Sequence, residues 1–191
     1  GPRSAEEELA FEAVKEAAPG EITPALLAQA HAAAAQQGLA NAAFVCGDAG
    51  AMPYPAATFD LVACGYTLHH LEEPAAAVAE LARVLRPGGR AALVDIIVPN
   101  GFDANVNNAI ERARDASHTA TLRAAEIRAL LADAGLRTLA TQIAERPREF
   151  DDWMRVAGWQ RGDAAYAATR RMMEATLEND AAGFHPQRLP A

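Results

Sequence analysis

The chain has 191 residues, a mass of 20.1 kDa and a formal net charge of −8. That length suits one domain with a real core, and 51% hydrophobic against 22% charged residues is too apolar for a disordered chain. The acidic balance, with Lys15 the sole lysine, argues against nucleic-acid binding, the lack of any apolar run near ~20 residues argues against a membrane span, no charged-then-apolar leader is read, and the two cysteines, read as reduced thiols, fit a reducing cytoplasm.

Ser4 followed by Glu7 has capping-box spacing and predicts a first helix running to about Ala18, stopped by Pro19-Gly20. Thr23 before Pro24 starts a second helix that ends at Gly38. Ala43 to Cys46 reads as a short strand, Met52-Pro53-Tyr54-Pro55 as a loop, and Phe59 to Cys64 as a second strand. Cys46 and Cys64 make neither a disulfide framework nor a zinc site, so both are expected as buried reduced thiols. Glu72 to Leu85 has helical apolar spacing, Arg86-Pro87-Gly88-Gly89 is a tight turn, and Ala91 to Val98 is a nearly continuous apolar strand expected to be buried on both faces. Helices are predicted over Phe102 to Asp115, Ala124 to Ala134, Glu149 to Gly158 and Asp163 to Glu178, with a further strand over Leu136 to Ile143. Strands alternating with helices imply an open α/β sheet whose ligands sit beyond the carboxyl ends of the strands. The places to search are Gly47 to Pro55, Gly65 to Glu73 and Asp95 to Asp103.

Those places carry the run GDAGAMPYPAATFDLVACGYTLHHLEEPAAAVAELARVLRPGGRAALVDIIVP, continued by ERARDASHTATLRAAEIRALLADAGL and PREFDDWMRVAG. Taken together they resemble class I S-adenosylmethionine-dependent methyltransferases, and most nearly the ubiquinone/menaquinone-biosynthesis type, over roughly residues 21 to 160. The resemblance implies a Rossmann-like, mostly parallel sheet flanked by helices, with a helical C-terminal part. It would be one domain over residues 1–191, made of an N-terminal helix (1–20), an α/β core (21–145) and a helical end (146–191). It implies S-adenosylmethionine as cofactor and methyl transfer to a small organic acceptor.

By the same resemblance Glu21 would bind the ribose hydroxyls, and Asp48 the adenine amino group with Ala49 and Met52 beside the ring. Gly65 and Tyr66 would lie near the methionine part and the methyl group. His69, Asp115 and His118 would line the acceptor site, and Tyr66, His70 or His118 would serve catalysis. Each has a plainer alternative: Glu21 as a helix-dipole partner, Asp48 as a turn residue, Asp95 as a structural partner at a strand end. Adjacent His69 and His70 are expected to point in different directions, so they are not read as a metal pair.

The family opens with a strand, a glycine-rich loop and a helix, and no such segment stands in this sequence. EEELAFEAVKEAAPG runs straight into EITPALL, so the join at Pro19-Gly20-Glu21 reads as an internal deletion of roughly 30 residues. The end also reads as short. A lost central strand would expose sheet edges, which a homo-oligomer, an intimate or swapped dimer, could cover. Losing the loop should cost several kcal/mol of cofactor affinity. A second reading follows: a methyltransferase-derived protein that no longer methylates and acts as a binding subunit or in proton-transfer or cyclisation chemistry.

Overall fold

The computed structural model describes residues 24–187, with side chains from Ala28 onward. The first predicted helix, Thr23, Glu21 and the Pro19-Gly20-Glu21 join lie outside the described residues. The described elements are α1 (Pro24–Gln36), β1 (Phe59–Gly65), a 3-10 turn at Leu68–His70, α2 (Pro74–Val84), β2 (Leu85–Val94), α3 (Ala104–Arg114), α4 (Ala124–Asp133), α5 (Phe150–Val156) and α6 (Ala164–Glu174). They fall into two compact units: residues up to Cys64 with 75–93, and residues 65–74 with 94 onward.

In the first unit β1 and β2 form a two-stranded sheet. Its strands are parallel, since Thr58 N donates to Val84 O at the start and Tyr66 N to Val94 O at the end. Seven residues of β1 lie against ten of β2. The tight turn expected at Arg86-Pro87-Gly88-Gly89 is corrected: all four residues lie within β2, with Gly88 at φ +81°. Gly89 is required by close approach: a Cβ there would meet the carbonyl oxygens of Arg86 and Asp60, each at 2.9 Å. Helix α2 buries Ala77, Val78, Leu81 and Val84, the face that helical spacing predicts. α1 ends as expected at Gly38 (φ +68°), where Leu39 N bonds Ala34 O at 2.9 Å and Gly38 N bonds Ala35 O at 3.2 Å.

In the second unit α3 is capped by Asp103, whose carboxylate accepts from Asn105 N and Val106 N. α4 starts with Glu126 accepting from Arg123 N at 2.6 Å and stops at Gly135 (φ +79°). α3 touches α6, and Ile110, Met154, Thr169 and Ala182 are buried.

Several expectations are corrected. Ala43 to Cys46 and Leu136 to Ile143 form no strand among the described residues. A strand exists by its ladder, and neither segment has a described neighbour to bond. The strand expected over Ala91 to Val98 ends at Val94 and is not buried on both faces, Val94 being 54% exposed. Burial of both faces needs helices on each side of a wide sheet, and only two strands are described. For the same reason Cys46 is exposed and Cys64 half-buried, where buried thiols were expected.

Candidate active site

In the first unit the loop after Cys46 is built by two devices. Asp48 Oδ1 accepts from Gly50 N at 2.7 Å and Asp48 O from Ala51 N at 3.1 Å, so Asp48 shapes its own turn while remaining exposed. Ala49 is half-buried and Met52 buried. In the following Pro53-Tyr54-Pro55 stretch only Tyr54 has a backbone N–H, which donates to Met52 O at 2.8 Å, and α2 supplies further bonds. Glu80 accepts from Met52 N at 2.7 Å, and Arg83 donates to Tyr54 O at 2.7 Å and Met52 O at 3.0 Å. Glu80 and Arg83 are themselves paired through Nε at 2.5 Å and Nη2 at 2.7 Å. The Arg83 hydrogen bond outweighs burial and holds the Glu80 carboxyl below the usual carboxylate range.

In the second unit the chain leaves β1 through Gly65, where an added Cβ would meet nothing within 4 Å, and Tyr66, a non-glycine residue at φ +52° that is 46% exposed. A bulky residue in the left-handed region at the carboxyl end of a strand stores strain of the kind found at ligand sites. The 3-10 turn follows. Asp95, whose side chain is 2% exposed, closes it from the end of β2. Its Oδ2 accepts from Leu68 N at 2.8 Å and its Oδ1 meets His69 Nδ1 and Ile96 N. Asp95 is therefore the structural partner of a buried histidine.

Segment 115–121 is braided onto this turn. Thr119 N and Ala120 N donate to His69 O, and Thr119 Oγ1 to His70 O at 2.9 Å. Ser117 receives His70 Nδ1 on its carbonyl at 3.2 Å, and its hydroxyl donates to Asp115 Oδ1 at 2.5 Å. His118 Nε2 lies 2.8 Å from Asn108 Oδ1, which also accepts from Thr121 N at 2.6 Å. An amide N–H only donates, so the Asn108 atom facing it is oxygen, and His118 carries its proton on Nε2. His118 is 4% exposed. Burial, helped by neighbouring His69, His70 and Arg112, pushes its pKa down to about 4, so it is neutral at pH 7. Glu111, buried on the same side of α3, is pushed up by desolvation against the pull of Arg114 at 3.1 Å.

Of the predicted residues, Tyr66, His69, His70, Asp115 and His118 belong to this unit. The ring centroids of His69 stand 4.0 Å from His70 and 5.6 Å from His118. The expectation that the adjacent histidines diverge is corrected for their rings, which lie beside each other at an interplanar angle of 40°, although each is held by a different partner, Asp95 for His69 and the Ser117 carbonyl for His70. Asp48, Ala49 and Met52 share the loop of the first unit, and Glu21 lies outside the described residues. Sequence reasoning missed Glu80, Arg83, Asn108 and Ser117. The i, i+3 pairing of Glu80 with Arg83 was the only available signal, and it ordinarily marks a solvated helix face.

Close to the C-terminal helices lies a cleft of about 340 Å³, within the small-molecule range, lined by Asp151, Arg155, Trp159, Gln160, Arg161 and Tyr166. Asp151 organises it, accepting from Tyr166 Oη and from Arg161 Nε at 2.8 Å.

The fold is that of the α/β methyltransferases. Residues 4–93 match the family described as Methyltransferase domain. The chain is 32% identical over 140 residues to the "uncharacterized methyltransferase YcgJ" of Bacillus subtilis (strain 168), which covers 72% of this chain and 55% of the relative. It is 39% identical over 94 residues to the 27-O-demethylrifamycin SV methyltransferase of Amycolatopsis mediterranei, covering 47% of this chain and 33% of that one. The crystal structure of the Bacillus YcgJ protein superposes with a TM-score of 0.76 at 26% identity, covering 93% of this chain and 71% of that one. These likenesses are to methyltransferases. The chain spans little more than half the length of the curated YcgJ relative.

Proposed function

We propose that this chain transfers a methyl group from S-adenosylmethionine to a small organic acceptor, with His70 taking up the acceptor's proton. The observation that carries this reading is the anchoring of His70 Nδ1 on the Ser117 carbonyl, with Ser117 fixed by Asp115. A carbonyl only accepts, so in neutral His70 the proton sits on Nδ1 and Nε2 is the basic atom. His69 is committed to Asp95, and His118 donates to Asn108. Both hold the loop in place through those bonds.

Asp48, Ala49 and Met52 fit an adenine: Asp48 Oδ1 is used by its turn, leaving Oδ2 to accept from an exocyclic amine. Glu21 would take the ribose hydroxyls. Gly65, open on its Cβ side, and Tyr66 would border the methionine part. When bound, S-adenosylmethionine supplies an electrophilic methyl carbon. Tyr66 and the 3-10 turn would orient the acceptor for in-line attack, which is where most of the rate would come from.

For the acceptor, the resemblance to the ubiquinone/menaquinone type supports an aromatic, quinone-like ring. So does 34% identity over 122 residues to a demethylmenaquinone methyltransferase of Roseiflexus castenholzii. Trp159 and Tyr166 offer ring faces for it in the C-terminal cleft. The cytoplasm is the proposed compartment, supported by cysteine usage that suggests no disulfide framework.

Calorimetric titration with S-adenosylmethionine and S-adenosylhomocysteine is the test. Dissociation constants in the micromolar range support the reading, and silence at millimolar ligand overturns it. Given binding, His70→Gln should leave affinity within about threefold and slow methyl transfer by about 100-fold.

A further inference from the structure

The segment between α5 and α6 carries one wall of the C-terminal cleft and is firmly built. Ala157 N and Trp159 N bond to Met154 O at 3.0 and 3.1 Å, while Gly158 (φ +86°) and Gly162 (φ +106°) turn the chain. Gln160 N donates to Asp163 Oδ2 at 2.8 Å, and Asp163 N to Gln160 O at 3.1 Å. The Trp159 indole donates to the carbonyl of Arg114 at 2.6 Å, and the Tyr166 ring meets Phe150 edge-on with centroids 5.2 Å apart. Both aromatic walls are thus fixed by bonds and packing of their own. Arg114 precedes Asp115, which holds the Ser117 on which His70 rests. The cleft wall and the proposed base therefore hang from the same end of α3.

The charges lining the cleft are two guanidiniums against one carboxylate, in a chain whose net charge is −8. That carboxylate is committed: Asp151 accepts from Tyr166 Oη, and from Arg161 Nε at 2.8 Å and Nη2 at 2.6 Å. The Tyr166 hydroxyl first, and Arg161 second, hold the Asp151 carboxyl below the usual carboxylate range, so it stays ionised and orients Arg161. A cation entering the cleft would meet both arginines and find the Asp151 charge already answered, whereas an anion meets the reverse. The Arg161 fork is planar, so two bonds to Asp151 fix its plane and leave the Nη1 edge to a further acceptor. Arg155 is paired with Asp152, but at 71% and 58% side-chain exposure that pair is well screened and is readily traded for a new partner. A carboxylate matches the fork, a flat ring matches the two aromatic walls, and about 340 Å³ has room for a bicyclic ring. We propose that this cleft takes an aromatic carboxylate, its ring against Trp159 and Tyr166 and its carboxylate on Arg161 and Arg155. Where it rests on the methyl-transfer reading, the proposal makes the acceptor an aromatic acid.

Calorimetric titration of the full chain with 2-naphthoate, 2-naphthamide and acetate, in the absence of S-adenosylmethionine, is the test. 2-Naphthoate should bind with a dissociation constant on the order of 100 µM, the amide of the same shape about tenfold more weakly, and acetate more weakly still. Arg161→Gln should cost 2-naphthoate about tenfold and leave 2-naphthamide unchanged, which a collapsed cleft would not do. Arg161→Lys, which keeps the charge and loses the fork, should fall between. Silence with 2-naphthoate at about 10 mM overturns the proposal. So does equal affinity for acid and amide, or an R161Q variant that binds the acid as wild type does or loses both ligands alike. Methyl transfer is tested apart. With S-adenosylmethionine present, kcat/KM for 3-hydroxy-2-naphthoate should exceed that for 3-hydroxy-2-naphthamide by about tenfold, and R161Q should abolish the preference. Turnover without that preference overturns the aromatic-acid acceptor. Binding of the acid with no turnover of either compound counts against methyl transfer and leaves the ligand of the cleft standing.

Discussion

His69 Nδ1 is bonded to Asp95 Oδ1 where both side chains are almost wholly excluded from water, at 6% and 2% exposure. The same carboxylate accepts from the amides of Leu68 and Ile96, so one residue at the end of β2 satisfies the turn that follows β1. Removing it should be expensive. Asp95→Ala leaves a buried imidazole and at least two amide donors unpaired, and should cost about 3–5 kcal/mol of stability. Leu68 N and Ile96 N use different oxygens of Asp95, so Asp95→Asn keeps an acceptor for only one of them and should cost less than the alanine variant, about 2 kcal/mol. Urea denaturation at pH 7 measures both, and near-equal losses would mean that the bonds to Asp95 are not what holds the turn.

The neutral state of His118 makes stability depend on pH. Its pKa is pushed down to about 4 in the folded chain, against 6.5 for an exposed histidine. Between those values the unfolded chain binds the extra proton and the folded chain does not, so stability falls as pH drops from about 6.5 toward 4. The fall from this one group is at most about 3 kcal/mol. His118→Gln has nothing to titrate, so its stability should change less between pH 7 and pH 5 than wild type does. An unchanged slope would show that His118 is not the group responsible.

Tyr66 offers a trade between stability and binding. Its left-handed backbone at φ +52° costs a non-glycine residue about 1 kcal/mol. Tyr66→Gly removes that cost, and its partly exposed ring gives up little packing. The variant should be as stable as wild type or more so, while its affinity for S-adenosylhomocysteine drops if the ring borders the ligand. A stable variant with unchanged affinity would remove Tyr66 from the binding site.

The order of elements from Pro24 to Val94 was legible because each boundary has its own chemistry: Pro24 to open α1, Gly38 to close it, the mostly apolar run from Phe59, and the Val78–Leu81–Val84 face of α2. Helix α3 shows where that logic fails. Its buried face is Asn107, Asn108, Ile110 and Glu111, mostly polar residues that amphipathic reasoning assigns to solvent. They are buried because they serve side chains distant in sequence, as Asn108 does for His118 and Thr121. The loop histidines were found through the family resemblance, but their division of labour was not. Which ring is spent on Asp95 and which on Ser117 depends on contacts 26 and 47 residues away. The strand over Leu136 to Ile143 rests on local sequence alone, which records a preference and not a partner.

The Glu80–Arg83 pair yields the last prediction, because it ties helix α2 to the loop that carries Asp48 and Met52. Met52 N has Glu80 Oε2 as its acceptor, and the carbonyls of Met52 and Tyr54 are held by Arg83. A loop with prolines at 53 and 55 has few donors of its own, so these bonds from the helix decide its conformation. Glu80→Gln keeps the shape but weakens both the Arg83 pairing and the Met52 bond, from charge-assisted to neutral. Amide exchange at Met52 should speed up by about tenfold, with exchange in α3 unchanged. Because Arg83 holds the Glu80 carboxyl below its ordinary 4.5, the ionised form is favoured by folding. Its contribution is present above that pH and is lost as pH falls below it, so acid should loosen this loop in wild type and have less effect on the glutamine variant. If exchange at Met52 is the same in both proteins, the loop is held by something other than α2, and Asp48 would have to organise it through its own turn alone.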